Sequence, residues 1–94
     1  MTFNEFKASL ADDTPPENFS LYLTSLWFDE KNNWQKAHEI AQDINDKNGS
    51  WLHAYLHRKE GDLSNAGYWY RRAGKPTPSY PLLQEWQEMV VNFL

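Results

Sequence analysis

Three glycines cut the second half of this chain into helix-length pieces, and that punctuation constrains the fold more than any other feature. Gly49, Gly61 and Gly74 each follow a polar or basic stretch, and the first two are followed at once by a capping residue, Ser50 and Asp62. Glycine at the left-handed position past a helix end, next to an N-cap, gives very short helix–helix connections. The spacing predicts helices over about 51–60 and 63–73. Lys75-Pro76-Thr77-Pro78 cannot continue a helix and predicts an extended bend. A last helix is expected from near Ser79, presenting Leu82 or Leu83, Trp86, Met89, Val90 and Phe93.

Upstream, Thr2-Phe3-Asn4-Glu5 fits a capping box, and Phe3, Phe6 and Leu10 share one face, so a short helix runs to about residue 11. Thr14-Pro15-Pro16-Glu17 predicts a second start. Phe19, Leu23, Leu26 and Trp27 then keep helical spacing as far as Asn32-Asn33, and a third helix opens at Trp34 with Ala37, Ile40, Ala41 and Ile44 on one stripe. No stretch alternates with period two. The expectation is therefore an all-α fold of five or six short helices. Two tandem antiparallel hairpins, at about 15–47 and 50–74, are capped by a first helix and by a last one at about 79–93.

Ninety-four residues are one domain's worth of chain. Five Trp, five Tyr and five Phe supply its core, each ring burying about 150–250 Å². With no cysteine, disulfides, thiolate ligands and a Cys nucleophile are excluded. A net charge of −4 argues against nucleic acid as a partner. No apolar run approaches the ~20 residues that span a bilayer. Met1-Thr2-Phe3-Asn4-Glu5 lacks the basic flank and apolar stretch of a signal peptide, so a cytoplasmic location is expected.

Shifting the chain by 29 residues sets Trp34 on Leu63, Ala37 on Ala66, Ile44 on Ala73 and Leu23 on Leu52. Neither hairpin buries its apolar face alone, which is the logic of repeat architectures. The second hairpin resembles a tetratricopeptide repeat. Ala54, Gly61-Asp62, Ala66, Tyr70, Ala73 and Pro78 match that family's small, turn, aromatic and closing positions over about 50–78, with a weaker echo over 21–44. The repeat is 29 rather than 34 residues, and His53 and His57 stand where the family has Leu and Tyr. The resemblance implies tetratricopeptide-like hairpins without a standard peptide groove. The segment from Trp51 to Asp62, with Asn65 to Gly74 and Trp34, Ala37-His38-Glu39, also resembles a group of small bacterial and fungal proteins; that resemblance implies no activity.

His53 and His57 are one turn apart and project from one helix face, with Glu60 extending the row. A His-x3-His pair is half of a metal site that His38-Glu39 on the other hairpin could complete. The zinc-protease signature requires Glu directly after the first His, and Ala54 stands there. The plainer alternative has each imidazole partly buried and bonded to a carboxylate or carbonyl. Residues 51–75 carry five basic and two acidic side chains, against four and eleven elsewhere. Arg71 and Arg72 can grip a carboxylate or phosphate, unless acids such as Asp29, Glu30, Glu39 and Asp43 neutralise at least one of them.

Tyr68-Trp69-Tyr70 spans about 200° of a helix. Tyr70 is expected inward, with Trp86 and Met89 covering Tyr68 or Trp69. Gly67, mid-helix, predicts close approach of a facing helix near Ala54 or Trp34. Glu85 and Glu88, among Gln84 and Gln87, predict a solvated face. No Ser sits in a glycine-rich elbow and no phosphate loop is present.

These features point to a non-enzymatic helical module. A surface of His38, His53, His57, Asn65, Tyr68, Trp69, Arg71 and Arg72 would recognise a protein segment or a small anionic ligand, with no cofactor, nucleic acid or membrane involved. One alternative is a small metal-dependent or acid–base enzyme centred on His53, His57 and Glu60 with His38 opposite. A third reading is a dimerising scaffold, since two hairpins fall short of the usual three repeats; the chain is expected as a monomer or homodimer.

Overall fold

A computed structural model covers residues 1–94 and contains six α-helices and no strand. They are α1 (Phe3–Ser9), α2 (Leu21–Glu30), α3 (Trp34–Gln42), α4 (Lys47–Glu60), α5 (Leu63–Ala73) and α6 (Leu82–Phe93). Thr2 closes a full capping box on α1. Gly61 (φ 89°) and Gly74 (φ 71°) end α4 and α5 in the left-handed conformation, and Asp62 caps α5 by accepting the Asn65 N–H. The all-α expectation and these two boundaries hold.

Three boundaries differ from the sequence expectation. The helix expected after Pro15 and Pro16 starts only at Leu21, where the Ser20 side chain accepts the Leu23 N–H at 3.2 Å. Phe19 lies in the turn before it, stacked on Phe6 at 5.5 Å, so it joins the core from outside the helix. α6 starts at Leu82 rather than Ser79, because Pro81 biases Tyr80 away from helical backbone.

Gly49 does not end a helix; it lies inside the first turn of α4, which Asp46 caps by accepting the Gly49 N–H at 2.7 Å. A Cβ there would collide with the carbonyl oxygen of Ile44, so glycine is needed for close approach. At Gly67 a Cβ would meet only the Arg71 guanidinium, at 3.6 Å; no facing helix approaches, contrary to expectation. The two positions therefore respond in opposite directions. Gly49→Ala is expected to cost about 1–3 kcal/mol through overpacking. Gly67→Ala is expected to add about 0.4–1 kcal/mol by restricting the unfolded chain. Urea unfolding of both variants checks the signs.

Consecutive helices pack in pairs, α2 with α3 and α4 with α5, and α3 lies against α4 to join them. Ala37, Ala41, Ala54 and Ala66 are buried at these contacts, where small side chains let backbones approach. The Ser25 hydroxyl donates to the Ala37 carbonyl at 2.8 Å, pinning α3 to α2. α1 and α6 close the open faces, with Phe3 and Phe6 against Trp86 at 5.6 and 6.0 Å.

Glu85 is fully buried, which overturns the solvated face expected for it. It shares a face of α6 with Met89, one turn on, and that face is core. Its carboxylate accepts the Trp51 indole N–H at 3.0 Å, the Arg58 guanidinium at 2.9 Å and the Tyr70 hydroxyl at 2.7 Å. Arg58 also donates to the Tyr80 carbonyl. Burial, then the bond to Glu85, raises the Tyr70 pKa far above the usual phenol range, so its hydroxyl remains a donor. The network draws α6 onto α4 and the Tyr70 side of α5.

Candidate functional site: a histidine cluster beside a cleft

His53 and His57 stack one turn apart on α4, ring centroids 4.9 Å apart. His38 comes across from α3 and meets both edge-on, at 4.6 and 5.1 Å. Its Nε2 lies 2.9 Å from Nε2 of His53, and one ring nitrogen from each of the three histidines falls within 4.8 Å of the other two. His53 and His57 are both buried, and His38 is partly so.

Two indoles hold the cluster. Trp34, one turn before His38, stacks on it at 4.9 Å and donates its N–H to the Leu56 carbonyl at 2.8 Å, which locks the ring pair onto α4. Trp69 of α5 stacks on His53 at 4.0 Å. His57 Nδ1 lies 2.8 Å from the Glu60 carboxylate, leaving Nε2 as its free nitrogen. The expectation that every imidazole has its own carboxylate or carbonyl is met only by His57; His38 and His53 bond to each other.

Electrostatics keep that pair neutral. Burial, reinforced by His38 and His57, pushes His53 down to about 4. Burial and then His57 push His38 below its usual value. At pH 7 both rings therefore present lone pairs rather than charges, which is the form that ligates metal. His38, His53 and His57 are the residues able to hold an ion, with Glu60 orienting His57 from behind. His57, Glu60 and Asp62 also lie close together, but Asp62 is exposed and occupied as the α5 cap.

Beside His53 opens a cleft of about 330 Å³ between the end of α3, the first turn of α4 and α5. Ile44, Lys47, Ser50, Trp69 and Arg72 line it with His53. The Arg72 guanidinium lies over the Trp69 ring at 5.3 Å and donates to the Tyr68 hydroxyl at 3.2 Å.

The other expected surface residues fall away from this cleft. Asn65 bonds Asp62 at the exposed start of α5, and Arg71 extends past Gly67. Tyr68 stays exposed, because α6 follows Glu85 toward Tyr70, one residue and about 100° around α5 from Trp69. Trp86 and Met89 thus cover neither Tyr68 nor Trp69. The expected neutralisation of Arg71 or Arg72 also fails: no carboxylate pairs with either, and the acids go to neighbours instead, Glu85 to Arg58 and Asp29 to Lys59 at 2.9 Å.

Sequence reasoning did not assign Trp34 or Lys47 to the site. The position of Trp34 one turn before His38 is the signal that marks it. Lys47 lies before the helix that the sequence predicts from residue 51, whereas α4 begins at Lys47 itself. No protein-family model, curated protein or solved structure matches the chain.

Proposed function

We propose that this chain is a small metal-binding module on a tetratricopeptide-like pair of hairpins, with His38, His53 and His57 as ligands to one divalent transition-metal ion of the zinc type. The observation that carries this reading is the convergence of three ring nitrogens from two helices within 4.8 Å. Ligand nitrogens around a tetrahedral zinc ion, at about 2.0–2.1 Å from it, stand about 3.3 Å apart. The 2.9 Å between the Nε2 atoms of His38 and His53 is close to that spacing. The Glu60–His57 pair has the form of an outer-shell carboxylate that fixes a ligand's tautomer and ring orientation. Three protein ligands leave a further position for water or another donor, the arrangement of reactive rather than closed structural zinc sites. When bound, the ion supplies Lewis acidity; the chain supplies orientation through Trp34 and Glu60, and a dry wall through Trp69.

The test is calorimetric titration of protein purified without a histidine tag and stripped of metal, using zinc, with cobalt as a spectroscopic check. One equivalent is expected to bind. His53→Ala should abolish binding, and Glu60→Gln should weaken it by about 10–100-fold. Absence of saturable zinc binding, or a folded His53→Ala that still binds one equivalent, overturns the reading.

A further inference from the structure

We infer that the cleft beside the histidines is a separate recognition site for a small organic anion, with a carboxylate or phosphate head held by Arg72, Lys47 and His53. This goes beyond the metal reading and does not depend on it, since Lys47 and Arg72 carry their charge with or without an ion.

Charge comes first. Of the residues lining the cleft, Lys47 and Arg72 are basic, and neither pairs with a carboxylate. Asp46 also lines it, its carboxylate held by the Gly49 N–H and the Tyr22 hydroxyl, so that the lining keeps one net positive charge. Arg72 is preorganised. The Trp69 face beneath it and the Tyr68 hydroxyl at 3.2 Å limit its conformers, so little side-chain entropy remains to be lost when an anion arrives.

The floor of the cleft supplies a directional group. His53 is only 7% exposed yet lines the cleft, and its Nδ1 has no hydrogen-bond partner in the protein, its Nε2 being turned to His38. When His38 donates to His53, the proton of His53 resides on Nδ1, which then offers an N–H donor to a ligand. That nitrogen is open to water through the cleft, so an oxygen of the bound anion takes the place of a water there. Ile44 and Trp69 add an apolar wall, so a head group carrying a short organic body fits better than an inorganic ion. At about 330 Å³ the space matches the low end of small-molecule pockets and is too small for a folded partner.

The probes are benzoate, phenyl phosphate and inorganic phosphate, followed by ¹H–¹⁵N correlation spectra of the metal-free protein. Benzoate or phenyl phosphate is expected to shift the Gly49 and Ser50 amides, the Trp69 indole and the Arg72 Nε saturably, with Kd of about 0.1–1 mM. The tighter of the two identifies the head group as carboxylate or phosphate, and inorganic phosphate should bind more weakly than phenyl phosphate. Arg72→Gln and Lys47→Gln, both at exposed positions and checked for folding by circular dichroism, should each raise Kd about tenfold. No saturable shift with either organic anion up to about 10 mM, or unchanged Kd in both variants, overturns the inference. Because no metal is present, neither outcome bears on the three-histidine site.

Discussion

Glu85→Ala will lower the free energy of unfolding by about 3–5 kcal/mol, the range for removing one partner from a buried ion pair. The carboxylate is fully buried and serves three donors from two other helices. Its loss leaves the Arg58 side chain, 15% exposed, with only the Tyr80 carbonyl, and leaves the Trp51 N–H and the Tyr70 hydroxyl with nothing. For a domain of this size the midpoint of thermal unfolding should fall by about 12 °C or more. Glu85→Gln keeps one acceptor oxygen for Trp51 and Tyr70 but loses the charge and turns an amide NH2 toward the Arg58 guanidinium, so it should recover only part of the loss seen in Glu85→Ala. A loss below about 1 kcal/mol for Glu85→Ala would mean that water reaches Arg58 as soon as the carboxylate is gone.

Asp29→Ala should cost less, about 2–3 kcal/mol, although Asp29 is as deeply buried as Glu85. The difference lies in its partners. Lys59 holds it at 2.9 Å but is 34% exposed and regains water when Asp29 is removed. Tyr55 donates to it at 3.2 Å and is 2% exposed, so its hydroxyl is stranded. Burial, then Asp29, already raises the Tyr55 pKa far beyond the phenol range, so that hydroxyl cannot escape by ionising. A double-mutant cycle isolates this term: Tyr55→Phe in the Asp29→Ala background should recover much of the loss, although Tyr55→Phe alone destabilises. Additive losses would place the cost on Lys59 instead.

Local rules sufficed wherever one residue type answers one backbone need. Gly61 and Gly74 adopt the left-handed caps expected of them, Thr2 and Glu5 close their capping box, and apolar residues at helical spacing mark α2, α3 and α5. The same rules failed where two local signals competed. Ser50 looks as good a cap as Asp46, and Thr14 as good as Ser20. In the structure the first case goes with close local packing of Ile44 on Gly49, and the second with the stacking of Phe19 on Phe6 of α1, a contact from another part of the chain.

The site divides along the same line. Helical periodicity alone puts His53, His57 and Glu60 in one row, because 3.6 residues per turn leaves no other arrangement. Whether His38 reaches that row depends on the crossing of α3 over α4, an angle that sequence spacing leaves open by tens of degrees. Packing closes it here, through Ser25 under Ala37, the Trp34 N–H on Leu56, and Trp34 stacked on His38. Charge followed the same course. Composition showed a basic hairpin in an acidic chain, but only the descent of α6 into the core selected Glu85 for Arg58, leaving Arg72 unpaired at the cleft. Identity and order of the residues thus dictate the helices and which side chains share a face; which faces meet is set by burial of the aromatic core, a property of the whole chain.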